Sequence, residues 1–308
     1  MTPARQGSFR IFRFRGIDVS LHWLWFLFAY YSVSIRIPRY ESPIWGVLEY
    51  LTLFLIVLTH EFGHSLACRS VGGTADHIVL WPLGGVAYVD PPPRAGAYLW
   101  SIAAGPLVNV VLAPILFVVA LGCRSAGWTT AHHDLAEFLV TINIINGVLL
   151  CFNLLPIYPL DGGQMLRGVL WYWLGRARSQ MVAASIGLVG IAVLALFALQ
   201  FVHGAQDLIW DGVLAFFLAS NCWRGLVQAR ALRKLELLPR RPEFACPVCH
   251  SSPPIGSYWL CRDCRSAYDT FATGAVCPHC GAAHETTTCP DCREARPFAD
   301  WRKTVHDV

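Results

Sequence analysis

The sequence predicts an all-α protein that crosses a membrane several times and ends in a small, cysteine-rich soluble domain. Of its 308 residues, 55% are hydrophobic and only 14% are charged, and the mean hydropathy is +0.45. This composition is too apolar for an ordinary soluble domain. The 12 tryptophans suit the aromatic belts that lie where a membrane meets water. The bilayer is therefore expected to be part of the solvent of this chain.

Membrane helices are predicted wherever about 20 mostly apolar residues follow one another. Six segments qualify, at residues 21–37, 47–69, 99–121, 137–157, 180–202 and 207–227. Basic residues concentrate before the first segment, after the fourth and after the sixth. With six crossings these three regions lie on one side, which the positive-inside rule makes cytoplasmic. The expectation is a multi-pass protein of the cell membrane with both termini in the cytoplasm.

Two shorter segments have the pattern of strands rather than of helices. SFRIFRFRG, residues 8–16, nearly alternates aromatic and basic residues, and TADHIVLWPLGGVAYVD, residues 74–90, has two apolar runs around Pro82, Gly84 and Gly85. Small membrane-associated β strands and a hairpin are therefore expected. An amphipathic covering of the membrane interface explains these patterns as well as a functional edge does.

The chain changes character after about residue 240, where long apolar runs end and cysteine, proline and small polar residues take over. Four regions are predicted. They are an N-terminal cytoplasmic or interfacial segment at 1–20, a membrane domain at 21–230, a linker at 231–243 and a soluble cytoplasmic domain at 244–308.

The motif HEFGH lies inside the second predicted membrane helix, at residues 60–64. Positions i and i+4 share one helix face, so His60 and His64 can both reach one Zn²⁺, with Glu61 as the general base for a water molecule. Ionisable groups at membrane depth cost about 2.5–3.5 kcal/mol each, so a functional site is the favoured interpretation. The alternative is a pair of histidines whose hydrogen bonds are satisfied by polar neighbours in a helix bundle.

A catalytic zinc usually has three protein ligands and one water molecule, so a further ligand is expected. Asp161 is the best candidate, in the segment NLLPIYPLDGGQML, where Pro156 and Pro159 break the fourth helix. Irregular backbone at membrane depth is tolerated when it is buried in protein or lines a cavity. As an alternative, Asp161 caps the helix that starts near Gln164.

HEFGH followed later in the chain by NLLPIYPLDGG resembles the site-2 protease family of intramembrane zinc metalloproteases, whose signatures are HExxH and an NxxPxxxLDG element. The resemblance covers roughly residues 10–230. Within it, AAGPLVN at 103–109 is similar to the AGPxxN segment of that family, and GIDVSLHWLWF at 16–26 is similar to the beginning of its first helix.

The resemblance implies a zinc metalloprotease that cuts within or near transmembrane segments of membrane proteins in the bilayer, as in regulated intramembrane proteolysis. It implies that His60, His64 and Asp161 bind the catalytic zinc and that Glu61 activates the attacking water. It further implies that Asn153 helps to hold the substrate or the developing oxyanion. The hairpin at residues 80–89 would correspond to strands that pair with an unwound substrate.

Four CxxC pairs follow one another in the tail. They are Cys246 and Cys249, Cys261 and Cys264, Cys277 and Cys280, and Cys289 and Cys292. Two such pairs complete a closed Cys₄ zinc site, and closed sites are structural. A disulfide framework is the alternative, which the reducing cytoplasm disfavours.

The simplest pairing joins consecutive pairs, as in double zinc-ribbon domains. It places Cys246, Cys249, Cys261 and Cys264 on one zinc and Cys277, Cys280, Cys289 and Cys292 on another, although the spacing leaves interleaved pairing open. One catalytic and two structural zinc ions are therefore expected. The ribbons are expected to regulate the enzyme or to recruit a protein partner, and the balance of basic and acidic residues makes nucleic acid the less favoured partner.

Two other functional classes remain open at this point. A metal transporter also places histidine and aspartate at membrane depth, but it needs ligands along a path rather than one compact set. A catalytically inactive scaffold would recruit partners through the ribbons alone, and the presence of Glu61 disfavours it.

Overall fold

The computed structural model describes residues 7–81, 84–201, 204–292 and 294–302. The chain divides into two compact units, Met1–Ala229 and Arg230–Val308. The boundaries predicted at residues 20, 230 and 243 stay predictions. Residues 231–236 of the predicted linker are helical, because they belong to the last helix of the chain.

Helices make up most of the first unit. Along the chain they are α1 (Leu24–Arg36), α2 (Pro43–Ser70), α3 (Ala95–Ser125), α4 (Trp128–Ala131), α5 (His133–Asn153), α6 (Asp161–Ala198) and α7 (Ala205–Glu236), with short 3₁₀ turns at Ile37–Arg39 and Leu199–Phe201. α2 begins at Pro43, since proline suits the first turn of a helix, where its missing N–H is no loss.

Within the described residues, four helices are long and apolar enough to cross a membrane, namely Pro43–Ser70, Ala95–Ser125, His133–Asn153 and Asp161–Phe201. The predicted count of six crossings is therefore not confirmed. α1 has 13 residues, fewer than the roughly 20 that a bilayer needs. The helix of the 41-residue segment Asp161–Phe201 is broken at Gly175, where φ is 76°.

A four-stranded sheet lies beside these helices in the order β1 (Ser8–Phe14), β2 (Ile17–His22), β3 (Thr74–Trp81) and β4 (Gly84–Asp90). β1 pairs with β2 and β3 pairs with β4 in antiparallel fashion, whereas β2 and β3 are parallel. The strands expected at 8–16 and 74–90 are present. Of the residues expected at the turn, Pro82 lies outside the described residues, and Gly84 and Gly85 begin β4. β4 forms one edge of the sheet.

β2 was not expected, because residues 21–37 were predicted as the first membrane helix. In the structure the helix begins only at Leu24, and the preceding segment IDVSLH is a strand whose apolar positions alternate with polar ones. Ile17 and Val19 are fully buried against apolar residues of α2 such as Val57 and Leu58. The sheet is thereby fixed to the helix that carries HEFGH.

The second unit has two short hairpins, β5 (Trp259–Leu260) with β6 (Ala267–Tyr268) and β7 (Thr286–Thr288) with β8 (Ala295–Pro297), followed by a 3₁₀ turn at Phe298–Trp301. Its beginning and end are joined, because the N–H of Ala245 donates to Trp301 O at 2.8 Å. The small core contains four buried cysteines together with Trp259, Tyr268, Phe271 and Trp301.

Candidate metal centres

Three side chains of the first unit converge at a buried point between α2 and α6. His60 Nε2 and His64 Nε2 are 3.1 Å apart, and Asp161 Oδ2 lies 3.1 Å from the first and 3.4 Å from the second. The three residues are 4%, 5% and 9% exposed. One turn of α2 supplies both imidazoles, because residues i and i+4 lie on the same face of a helix.

The orientation of both imidazoles follows from their Nδ1 atoms. His60 Nδ1 lies 2.6 Å from Asn109 Oδ1, and His64 Nδ1 lies 2.9 Å from the carbonyl oxygen of Ser101. Oxygens of amide and peptide carbonyls only accept, so each Nδ1 must carry the proton and each Nε2 must present a lone pair. This is the tautomer that a metal-binding histidine needs.

Asp161 does not cap a helix. It is the first residue of α6, and no side-chain hydrogen bond caps that helix. Its buried Oδ2 has no hydrogen-bond partner in the described part of the chain and faces the two Nε2 lone pairs. Three buried lone-pair donors turned towards one another repel unless a cation lies between them.

The spacing of these atoms fits a zinc ion. Ligands at about 2.0–2.1 Å from a tetrahedral zinc are separated from one another by about 3.3 Å. The three observed separations lie between 3.1 and 3.4 Å. Two nitrogens and one carboxylate oxygen are also a donor set that catalytic zinc sites use, with the fourth position left open.

Glycines let the backbone come close enough to build the cluster. A Cβ on Gly105 of α3 would overlap His64 Nε2, and one on Gly162 would overlap the carbonyl oxygen of Leu154. A Cβ on Gly163 would likewise overlap the backbone of Ile157. The Gly162–Gly163 pair thus lets the first turn of α6 pack directly on the irregular segment that delivers Asp161.

Glu61 lies next to the cluster and is 6% exposed. Its Oε2 accepts a hydrogen bond from the N–H of Ala87 in β4 at 2.9 Å. A Cβ on Gly85 would overlap the Glu61 side chain, so glycine is required where β4 passes the carboxylate. The free edge of the sheet is therefore in direct contact with the proposed general base.

Asn153 is the last residue of α5 and is partly buried, and none of the described hydrogen bonds joins it to the cluster. The residue that does contact a histidine is Asn109, which the sequence indicates as a hydrogen-bond partner between helices but does not assign to His60. Asn109 Nδ2 donates to Asn146 Oδ1 at 2.8 Å, and Asn146 Nδ2 donates to Asn109 O at 3.0 Å. Asparagine in an apolar helix is a signal for such a network, although it does not identify the partner.

The cysteines of the second unit form two clusters, but the predicted consecutive pairing is wrong. One cluster contains Cys246, Cys249, Cys289 and Cys292, and the other contains Cys261, Cys264, Cys277 and Cys280. The outer pairs meet because the two ends of the unit are joined, with Arg240 bound to Asp291 between the last two cysteines at 2.6 Å. The inner pairs then close on each other.

Both cysteine clusters have the spacing of tetrahedral zinc sites. Four thiolates about 2.3 Å from zinc lie about 3.8 Å from one another. The Sγ separations are 3.7 Å for Cys246–Cys292 and Cys249–Cys289 in the outer cluster, and 3.6 and 3.7 Å for Cys261–Cys280 and Cys264–Cys277 in the inner cluster.

The CxxC pairs lie in tight turns, which are closed by backbone hydrogen bonds. In the first three turns the residue after the second cysteine, namely His250, Arg265 or Gly281, has a positive φ and donates its N–H to the carbonyl of the first cysteine. In the second turn, hydrogen bonds from the side chain and N–H of Ser266 lower the pKa of Cys264 to about 6. His284 Nε2 also lies 3.3 Å from Cys261 Sγ in the inner cluster.

Comparison with known proteins relates the first unit to a family of peptidases. The sequence model of peptidase family M50 matches residues 49–127 and 123–197. The chain is 34% identical over 192 residues to a zinc metalloprotease of Methanocaldococcus jannaschii, covering 62% of this chain and 54% of that protein. It is 28% identical over 226 residues to Rip3 of Mycobacterium tuberculosis, covering 67% and 55%. The chain thus spans about half the length of the curated relatives that it matches.

A solved structure shows the same similarity. The site-2 protease from Methanocaldococcus jannaschii has 29% sequence identity and a TM-score of 0.50, covering 71% of this chain and 95% of that chain. The cysteine clusters lie outside the residues that the family model matches.

Proposed function

The chain belongs to peptidase family M50, the site-2 proteases, and we propose that it hydrolyses peptide bonds within or near transmembrane segments of other membrane proteins. With its apolar helices it is a multi-pass membrane protein. The observation that carries the proposal is the convergence of two histidine lone pairs and one orphaned carboxylate oxygen beside Glu61. Regulated intramembrane proteolysis is the process that such an activity would serve.

In this proposal His60, His64 and Asp161 hold the catalytic zinc. When bound there, zinc lowers the pKa of a water molecule and polarises the scissile carbonyl. Glu61 accepts the proton of the attacking water at one carboxylate oxygen and delivers it to the leaving amine. The hydrogen bonds from Nδ1 to Asn109 and Ser101 fix the rings while this proton moves.

The free edge of β4 is the proposed binding surface for the unwound substrate. β4 pairs with β3 on one side only, and the N–H of Ala87 points the other way, towards Glu61. A peptide in extended conformation can continue the sheet there by backbone hydrogen bonds, which places its carbonyl groups beside the cluster. Asn153 remains our candidate for holding the substrate or the oxyanion from the end of α5.

We further propose that the second unit binds two structural zinc ions, one in each cysteine cluster, so that the chain holds three zinc ions in total. Closed Cys₄ sites leave no position for a substrate. The unit would then regulate the protease or recruit a protein partner. The distribution of basic residues favours a topology with both termini in the cytoplasm.

The test compares wild type with Glu61→Gln, purified in detergent and incubated with single-span substrates. The variant keeps all the ligands, so we expect unchanged zinc content and a loss of cleavage of at least about a hundredfold. Unchanged cleavage by a zinc-loaded variant would refute the mechanism. Two outcomes would favour other functions: zinc flux into liposomes that needs His60 and Asp161 would indicate a transporter, and zinc without cleavage by either form would indicate a scaffold.

A further inference from the structure

α6 carries a cation that the proposed mechanism does not use. Arg167 follows Asp161 by six positions, so the rise of 1.5 Å per residue places it about 9 Å further along the helix axis. It is partly buried and lies in the first, more polar part of α6, before the break at Gly175. A partly buried cation costs free energy unless its donors and its charge are matched, so its partners decide whether it is a candidate for function.

Aromatic rings and a chain of hydrogen bonds hold Arg167 in place. Its guanidinium lies 4.7 Å from the centre of the Tyr98 ring and 6.0 Å from that of Trp171. Arg167 Nη1 donates to the Tyr98 hydroxyl at 3.2 Å, and that hydroxyl donates to Gln164 Oε1 at 3.1 Å. Gln164 Nε2 donates in turn to the carbonyl oxygen of Pro159 at 2.8 Å. The cation is thereby fixed relative to the segment that delivers Asp161.

The charge of Arg167 has no counterpart in the described part of the chain. None of the ion pairs found there includes it. Its Nε is buried without a hydrogen-bond partner. A guanidinium has five N–H donors in a fork that matches a carboxylate, and such pairs are strong when they are shielded from water. An incoming anion would therefore supply the ion-pair partner that the described residues do not provide.

We infer that Arg167 is a subsite for a carboxylate of the substrate. This inference rests on the proposed protease function. An offset of about 9 Å from Asp161 equals the length of about three residues of an extended peptide, so a substrate residue within a few positions of the scissile bond is the candidate partner. The preferred substrates would carry glutamate or aspartate there, and glutamine or asparagine would be poorer because a neutral amide leaves the charge of the guanidinium uncompensated.

The test uses matched substrates that differ only by glutamate or glutamine, placed at the second, third or fourth residue on either side of the cleavage site. For wild type we expect KM to be roughly tenfold lower for the glutamate form at one of these positions. In Arg167→Gln the ratio of kcat/KM between the two forms should fall to about 1. Arg167→Lys should keep part of the preference, because it keeps the charge but loses the fork.

Arg178→Gln is the matched control, since this arginine is exposed on the same helix beyond the break at Gly175. It should keep the wild-type ratio. Equal KM for both forms at every position in wild type, or an unchanged ratio in Arg167→Gln, would overturn the inference. Repeating the assay in vesicles with and without phosphatidylglycerol covers the other source of an anion. If the activity lost in Arg167→Gln depended on this lipid, and wild type showed no preference between the two substrates, the cation would bind a lipid phosphate. That result would also overturn the inference.

A binding measurement separates this inference from the protease proposal. Photo-crosslinkable glutamate and glutamine peptides are presented to Glu61→Gln and to the double variant with Arg167→Gln. Stronger labelling of Glu61→Gln by the glutamate peptide, abolished in the double variant, would support the subsite even if no cleavage were detected. Equal labelling would contradict it even if wild type proved to be a protease.

Discussion

The membrane cluster and the cysteine clusters are built in opposite ways. In the membrane cluster, the fold brings Asp161 of α6 to His60 and His64 of α2, far earlier in the chain. In the second unit, each CxxC turn forms locally, and only the meeting of two turns is a long-range event. The first site is thus preformed by a fold with its own core, whereas the second unit has few buried residues besides its cysteines. Small units of this kind usually depend on metal for their stability.

The largest effect should come from removing one cysteine of a cluster. Cys277→Ser is expected to release one zinc ion and to unfold the second unit, because structural zinc contributes about 10–16 kcal/mol to such folds. Zinc content and limited proteolysis would measure this, with cleavage expected only after about residue 230. Cys151→Ser, an exposed cysteine outside both clusters, is the control. If the second unit without its zinc still resisted the added protease, its fold would not depend on metal, and the contrast between the two kinds of site would be wrong.

A smaller effect is expected when a methyl group is added inside the membrane unit. Gly105→Ala should destabilise the fold by about 3 kcal/mol and weaken zinc binding, since its Cβ would overlap His64 Nε2. Gly122→Ala in the same helix meets nothing within 4 Å and should be neutral or stabilising by up to about 1 kcal/mol. Thermal unfolding in detergent and competition with a chelator would measure both variants. If Gly105→Ala and Gly122→Ala had the same thermal stability and the same zinc affinity, the close contact of α2 and α3 would not be what holds the cluster.

Removing the hydrogen bond that orients His60 should act on the metal rather than on the fold. Asn109→Ala is expected to weaken binding of the membrane-site zinc by about 10–100-fold, because His60 loses the acceptor that fixes its tautomer. Asn143→Ala is the control, since that side chain donates only to backbone carbonyls of Leu139 and Leu116. Zinc affinity measured by chelator competition distinguishes them, and a similar loss in both variants would count against the role of Asn109.

The smallest effect concerns Asp269 in the second unit. It accepts hydrogen bonds from Arg241 and from the N–H groups of Gly256, Phe271 and Ala272. Burial acts to raise the pKa of Asp269, but these donors outweigh it and leave that pKa below its ordinary value. The stabilisation is therefore present above the unfolded pKa of about 4 and is lost as the pH falls through the lower folded value.

Asp269→Asn should accordingly cost about 1 kcal/mol at neutral pH. Faster hydrogen exchange over residues 256–272 would report it, and the exposed Asp300→Asn should leave that exchange unchanged. If Asp269→Asn kept the wild-type exchange rates, the carboxylate would not be what holds Arg241 and residues 256–272 together.

Local patterns in the sequence were sufficient for the family and for several elements. HEFGH and each CxxC pair depend only on spacing within one helix turn or one tight turn, so their ligand geometry can be anticipated without the fold. The apolar runs located α2, α3 and α5 within a few residues. They did not establish six crossings, because the helix at 21–37 has only 13 residues and α7 is not among the four described helices that are long and apolar enough.

Long-range contacts decided the rest. Composition leaves Asp161 equally suited to a helix cap or a metal, and only the tertiary fold brings the start of α6 to α2 and turns the Asp161 Oδ2 towards two lone pairs. The alternation in residues 17–22 is too short to identify a strand until β3 pairs with it. The cysteine pairing depended on the joined ends of the second unit. A sequence determines what each segment can form from its neighbours, whereas partners distant in the chain are selected by the free energy of the whole packed structure.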